Sequence, residues 1–179
     1  SNQHLKYLDA GLYSNGFITD FIWEDLNTDN VFSTNESYLE GVRIEWKGVN
    51  FAGDSVKQVT YTDHTGRYYL NHIQPGSYSI KIVFPTGYEL LIPITETWQM
   101  WSGQYISGQG ISVFRRGKIT GFVWSDINGN GIRNTDEPTL AGTQVVLTGS
   151  VYAGVVSIVM QTDISGIFEF SNLFPGRYT

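Results

Sequence analysis

The chain repeats itself. Gly16-Phe17-Ile18-Thr19-Asp20-Phe21-Ile22-Trp23 returns about 101 residues later as Gly117-Lys118-Ile119-Thr120-Gly121-Phe122-Val123-Trp124, and self-similarity at a long fixed offset means two copies of one structural unit. The offset holds through Leu39-Glu40-Gly41 against Leu140-Ala141-Gly142. It shortens by one at Thr62-Asp63-His64-Thr65-Gly66-Arg67-Tyr68 against Thr162-Asp163-Ile164-Ser165-Gly166-Ile167-Phe168, and Pro75-Gly76-Ser77-Tyr78 then answers Pro175-Gly176-Arg177-Tyr178. Whatever the first copy folds into, the second must fold into as well. The expected organisation is a closing segment of a preceding repeat, or a linker, over residues 1–15, a first domain over 16–116 and a second over 117–179. Residues 79–83, 88–92 and 111–114 have no counterpart after Tyr178, so the second domain is expected to be C-terminally incomplete, lacking at least one strand. Gly110 to Gly117, with Arg115 and Arg116, is the expected junction.

The repeated segments read as strands. Val42 to Trp46, Val56 to Tyr61, Tyr78 to Ile82 and Thr143 to Leu147 are short, rich in β-branched or aromatic residues, and several alternate with period two. Gly-containing turns punctuate them, and no capped amphipathic stretch of ten or more residues stands out. Short strands at regular spacing with Gly and Pro turns predict an all-β chain of β-sandwiches.

One loop carries chemistry. Asp126, Asn128, Asn130, Gly131 and Glu137 form D-x-N-x-N-G-x5-E, a calcium-loop pattern. Ca2+ takes six to eight oxygen ligands, which such a loop supplies from positions 1, 3 and 5, a carbonyl at 7, position 9 and a bidentate Glu at 12, with Gly at 6 for the sharp turn. Here those are Asp126, Asn128, Asn130, the Ile132 carbonyl, Asn134 and Glu137. At average residue usage, a chain of this length matches the fixed positions roughly once in a few thousand trials. The first copy holds a degenerate version: Asp25, Asn27, Asp29, the Val31 carbonyl, Ser33 and Glu36, with Asn30 at position 6. Asn tolerates left-handed dihedrals better than most residues, so that substitution is compatible with the turn. In helical calcium-sensor proteins the loop joins two helices, but the residues before and after this one are strand-like. A loop between early strands, with one Ca2+ for each copy, is the expectation. The competing reading is an Asn- and Asp-rich loop closed by Asx turns without metal.

Other functions are disfavoured by what the chain lacks. The net charge of −6 and the absence of a basic stripe argue against nucleic acid. The apolar runs are interrupted and far shorter than a membrane span. With no cysteine, disulfides and thiol catalysis are excluded. His4, His64 and His72 have no metal spacing, and no nucleophile, base and orienting group are grouped, so no enzyme is expected. Asp63 and Asp163 precede glycines and read as turn residues, with an auxiliary calcium role as the alternative.

The combination of Phe122 to Gly131, Glu137, Leu140-Ala141-Gly142, Thr162-Asp163 with Gly166, and Phe170 to Tyr178 resembles the SdrD B-like repeat of Gram-positive serine-aspartate repeat surface proteins. Nearly the whole chain is covered. The resemblance implies tandem Greek-key or prealbumin-like, Cna B-type sandwiches on a bacterial cell surface, associated with the cell wall, that bind calcium and act as a stiff stalk or spacer in an adhesin. The implied partners are neighbouring repeats, with a host or surface ligand reached through other domains. Related Cna B domains often carry a Lys to Asn isopeptide bond assisted by Glu. Ile82 stands where that Glu is expected, and 111–114 holds no Asn or Asp, so no such bond is predicted. Asn134 stands where the family commonly has Asp.

Two features fall outside this pattern. Trp98, Trp101 and Tyr105 have no counterparts in the second copy; they are either a carbohydrate- or protein-binding patch or a loop folding its aromatics over the open end of a sandwich. Leu8 to Tyr13 has the character of the strand missing from the second copy, so neighbouring chains are expected to associate by strand complementation.

Overall fold

The computed structural model describes residues 11–94, 97–108 and 110–179, and every regular element among them is a β-strand. In chain order these are β1 (Gly16–Glu24), β2 (Ser37–Tyr38), β3 (Arg43–Asn50), β4 (Ser55–Tyr61), β5 (Arg67–Ile73), β6 (Gly76–Val83), β7 (Tyr88–Leu90) and β8 (Thr97–Met100). They continue as β9 (Tyr105–Ser107), β10 (Ile111–Arg115), β11 (Gly117–Phe122), β12 (Gln144–Val151), β13 (Gly154–Gln161), β14 (Ile167–Leu173) and β15 (Gly176–Tyr178). The all-β expectation holds. No helix among the described residues is long and apolar enough to cross a membrane. His4 and most of the expected closing segment and complementing strand lie outside the described residues, and Gly11 to Asn15 take no regular structure.

The chain divides into two units, one of Ser1–Trp23, Tyr38–Pro85 and Ile92–Ile111, the other of Glu24–Ser37, Thr86–Leu91 and Ser112–Thr179. In the first, a four-stranded sheet runs β4-β3-β6-β8. β3 pairs antiparallel with β4 on one side and β6 on the other, so the central strand bonds partners from different parts of the chain. A second layer sets β1 antiparallel to β5 and parallel to β9. Alternation decides which residues turn inward: Ile44 and Trp46 are buried while Arg43, Glu45 and Lys47 between them are not. Ile18, Ile22, Leu70 and Ile73 from one layer and Ile44, Trp46, Tyr78, Ile80 and Met100 from the other form the core. Each such side chain, fully buried, contributes about 1.5–3 kcal/mol relative to exposure.

The second unit repeats this on a smaller scale. β11 pairs antiparallel with β14, β12 lies between β13 and β15, and Leu147, Phe170 and Leu173 are packed by Ile119, Val145, Met160, Phe168 and Tyr178. It also holds the antiparallel pair β10 and β7.

The repeated residues recur for structural reasons. A register break falls between Gly16 and Ile18 against β5, and again between Gly117 and Ile119 against β14. On the facing strands His72 and Asn172 have φ of 57° and 61°, conformations for which His and Asn are among the better-suited side chains. His72 is thereby accounted for by the backbone. The repeated Leu-x-Gly and Thr-Asp motifs form a clamp. Thr62 Oγ1 donates to the Leu39 carbonyl at 2.6 Å and accepts from the Val42 amide at 2.9 Å, and Thr162 does the same with Leu140 at 2.6 Å and Thr143 at 2.9 Å.

Gly48 faces Tyr78 across the β3–β6 ladder, as Gly149 faces Tyr178 across β12–β15. Each tyrosine hydroxyl donates to the carbonyl four residues back, Gln74 or Phe174, at 2.8 Å. A methyl group on Gly48 would overlap the Ser77 carbonyl oxygen. Gly48→Ala is therefore expected to cost about 1–3 kcal/mol, read as a lower denaturation midpoint with an unchanged denaturant slope. A midpoint equal to that of the parent chain would contradict this packing.

Asp20 supplies a pH prediction. Burial holds its carboxyl above the ordinary value, against opposing hydrogen bonds from the Phe21 and Gly110 amides and the charge of Arg67. The folded state thus binds the proton more tightly than the unfolded state. Stability from this group is present at low pH and is lost as pH rises through the folded pKa, above the ordinary value of 3.8. In urea denaturation across acidic pH, the parent should lose stability relative to Asp20→Asn as pH rises above 3.8; a stability difference independent of pH would contradict this.

Candidate metal centre

Each candidate loop begins where the first strand of a copy ends. Loop 1 follows β1, and loop 2 follows β11 beyond a bridge between Trp124 and Thr139. The two 12-residue segments build the same hydrogen-bond scaffold. Position 1 accepts from the amide of position 6: Asp25 from Asn30 at 2.8 Å, Asp126 from Gly131 at 2.7 Å. Position 3 accepts from position 5, Asn27 from Asp29 at 3.1 Å and Asn128 from Asn130 at 3.0 Å. Position 5 accepts from position 7, Asp29 from Val31 at 2.8 Å and Asn130 from Ile132 at 2.7 Å.

The glutamate at position 12 closes both loops. Glu36 accepts from Leu26 at 3.0 Å and Ser33 at 2.9 Å, and Glu137 accepts from Ile127 at 3.1 Å and Asn134 at 2.9 Å. Both glutamates are buried. Position 6 is left-handed in each, with φ of 60° at Asn30 and 73° at Gly131, so Asn serves there as the sequence led us to expect. The position-7 and position-9 residues meet in loop 1, where Ser33 Oγ donates to the Val31 carbonyl at 3.3 Å. In loop 2 the Asn134 side-chain oxygen accepts from Asn130 at 3.2 Å.

The loops differ at position 1. Asp25 is fully buried, and its Oδ1 has no hydrogen-bond partner, whereas Asp126 Oδ1 accepts from Gly129 at 2.8 Å and Asn130 at 3.1 Å. A buried carboxylate oxygen without a donor or cation is costly. Among the described residues no three His, Cys, Asp or Glu side chains group as a metal holder, and Asp25, Asp29 and Glu36 do not meet that description. The donor set of each loop is nevertheless all oxygen, the ligand type that Ca2+ takes. The unpartnered oxygen of Asp25 fits a cation better than it fits a metal-free Asx turn.

Loop 1 is tied down by residues the sequence motif did not include. The Asp25 amide donates to the Val113 carbonyl at 2.7 Å, and Ser112 Oγ donates to Asn30 Oδ1 at 2.7 Å, so β10 holds the loop at two points. Arg115 forks onto Glu24 at 2.7 and 3.2 Å, and Tyr88 donates to the same carboxylate at 3.1 Å. The β10–β7 register, which sets Arg115 opposite Tyr88, makes this possible. The hydrogen bond to Glu24 raises the Arg115 pKa; burial, then the Glu24 hydrogen bond, raises that of Tyr88. Arg116 likewise holds the Glu89 carboxyl below its usual range through a hydrogen bond. The available signal was Glu24 directly after Trp23, where Ser125 follows Trp124, together with the adjacent arginines.

The remaining candidates have other employment. Asp63 Oδ1 accepts from the Thr65 and Arg67 amides at 2.8 and 3.1 Å, and Asp163 Oδ1 from Ser165 and Ile167 at 2.8 and 2.9 Å, which are turn-closing bonds. Trp98, Trp101 and Tyr105 have different immediate neighbours. Trp98 lines a cavity of about 180 Å3 with Asp20 and Tyr68. Trp101 tilts against Phe51 at 5.6 Å, in a groove with Tyr13 and Pro75. Tyr105 stacks on Phe17 at 5.4 Å, which in turn stacks on Tyr69 at 6.2 Å. A ring stacked on its neighbour has one face fewer to offer a sugar.

Comparison with known proteins agrees with the repeat. The SdrD B-like domain family matches residues 16–96 and 117–179. Serine-aspartate repeat-containing protein F of Staphylococcus epidermidis is 28% identical over 97% of this chain, which spans 10% of that protein. Colossin-A of Dictyostelium discoideum is 30% identical over 96% of the chain, which spans 2% of that protein. Among solved structures, a streptococcal ancillary pilin aligns over 92% of this chain and 52% of its own, at 15% identity and a TM-score of 0.42.

The glutamate scaffold is directly testable. Glu36→Ala leaves the Leu26 and Ser33 amides without their acceptor and should cost about 2–4 kcal/mol even in chelator. Hydrogen exchange at those two amides should accelerate in the variant; unchanged protection would rule out the closure described.

Proposed function

The chain belongs to the SdrD B-like domain family, and on that premise we propose that it is a calcium-stabilised, non-catalytic spacer of a surface protein. Its working parts are two repeats over residues 16–116 and 117–179. The observation that supports calcium most is the buried Asp25 Oδ1 without a partner, set in a scaffold whose position 1, 3, 5 and 12 acceptor bonds to the amides of positions 6, 5, 7, 2 and 9 recur in the second copy.

Asp25, Asn27, Asp29, the Val31 carbonyl, Ser33 and Glu36 would hold one ion, and Asp126, Asn128, Asn130, the Ile132 carbonyl, Asn134 and Glu137 a second. When bound, the ion would supply positive charge to the loop carboxylates. The chain does the rest. Amides from positions 2, 5, 6, 7 and 9 orient the side-chain oxygens, and β10 fixes loop 1 through Val113 and Ser112. Because the unfolded chain has no such arrangement, a ligand bound only to the native state adds directly to stability. The parent protein is proposed to stand outside the cell on a bacterial cell wall, a reading supported by membership of the SdrD B-like domain family. Its partners would be neighbouring repeats, with any host ligand bound by other domains.

Native mass spectrometry should find two calcium ions per chain. At a free calcium concentration of about a hundred times Kd, the gain is about 2.7 kcal/mol per site, or roughly 5–10 °C in melting temperature. Glu36→Gln and Glu137→Gln should each remove one ion and part of that gain. A melting temperature indifferent to chelator would end the proposal.

A further inference from the structure

The hairpin of β12 and β13 departs from its counterpart in a way the fold does not require. From Pro138 to Thr162 no residue is charged, whereas the equivalent β3–β4 hairpin carries Arg43, Glu45, Lys47, Asp54 and Lys57. The outward face of the hairpin is uncharged and open to solvent, with valines set among Ser, Thr and Gln: Val155 is 86%, Val159 53% and Val146 49% exposed. β13 also ends its sheet, in the order β13-β12-β15. That edge belongs to the hairpin itself, because in the first unit β8 adds beyond β6 and leaves β4 at the edge as well.

Edge strands are ordinarily protected by charge, proline or bulges, because their free amides and carbonyls template another strand. β4 has Lys57 for this purpose. β13 has none of these devices: its eight residues pair with β12 without a register break, and Val155 to Met160 is a six-residue run of high β-propensity without charge or proline.

We propose that the β13 edge pairs with the β13 edge of a second copy, antiparallel about a two-fold axis, to give one continuous sheet. Charge selects this occupant. Two identical charged strands would set like charges face to face, which is unfavourable, and the chain as a whole carries a net charge of −6 that repels a second copy elsewhere. The 25 residues from Pro138 to Thr162 are free of that repulsion. An antiparallel register centred on Ser157 brings Val155 of one copy opposite the partner's Val159 on the outer face, in the isologous arrangement that closes a dimer.

Sedimentation velocity across a dilution series of the whole chain is the test. The parent should show a reversible monomer–dimer equilibrium. A chain with Val155→Glu and Val159→Glu, and another with Val155→Lys and Val159→Lys, should each sediment as monomers, while their mixture should recover the dimer by pairing opposite charges. Both positions are exposed, and circular dichroism checks that the variants keep their strands. A parent that stays monomeric at every concentration overturns the proposal, as does a dimer that survives both like-charged variants. Growth without limit into thioflavin-positive fibres overturns it in favour of open stacking. A monomeric parent that binds an unrelated strand-forming peptide assigns the edge to a foreign strand instead.

Discussion

A carboxylate that accepts two backbone amides closes the loop after the first strand in both copies of this molecule's repeating unit. At position 12 one oxygen of Glu36 or Glu137 takes the amide just after the loop begins, and the other takes the amide of position 9. The chain leaving the first strand is thereby held against the chain returning toward the next. Without that closure, the amides of positions 2 and 9 would lack these acceptors, and only the bonds among positions 1 to 7 would shape the loop. Its carboxylates are placed by structural bonds first. Any cation they hold exploits oxygens already oriented by the backbone.

Two copies of one unit in one chain separate what the fold needs from what each copy has added. The bulge after the first glycine, the left-handed residue opposite it, the threonine clamp and the glycine beneath a tyrosine ring occur in both. Each answers a backbone requirement. The Glu24–Arg115–Tyr88 cluster occurs once, beside loop 1, and the uncharged β12–β13 hairpin occurs once, in the second copy. The first fixes a loop, and the second leaves an edge undefended. Differences of this kind carry individual function more readily than shared features, because the shared ones are already explained by folding.

Much of the architecture was legible in the residues. Period-two alternation identified β3, β4, β6 and β12, since a half-buried strand must alternate. The spacing of Asp126 to Glu137 identified a loop most of whose backbone-to-side-chain bonds recur in its degenerate partner, because position 6 needs only a residue that tolerates positive φ. Less legible was the tie between loop 1 and β10. Ser112 and Val113 lie more than 80 residues from Asn30 and Asp25, and no local pattern connects them. The aromatic trio was grouped by nearness in sequence, but Trp98 lies in β8, Tyr105 in β9 and Trp101 between them, and strand and turn geometry sends the three rings to different surroundings.

Sequence alone determined that there are two copies, that they are built of strands, and which side chains at which spacing present oxygens within each loop. These are local facts: periodicity, turn chemistry and the reach of a side chain over a dozen residues. Only the tertiary structure decided that Asp25 keeps one oxygen buried and unpartnered while Asp126 does not, and that β13 stands at an edge. Burial and edge position depend on which strands from distant parts of the chain come to lie alongside, and pairing across such distances is set by the packing of the whole unit.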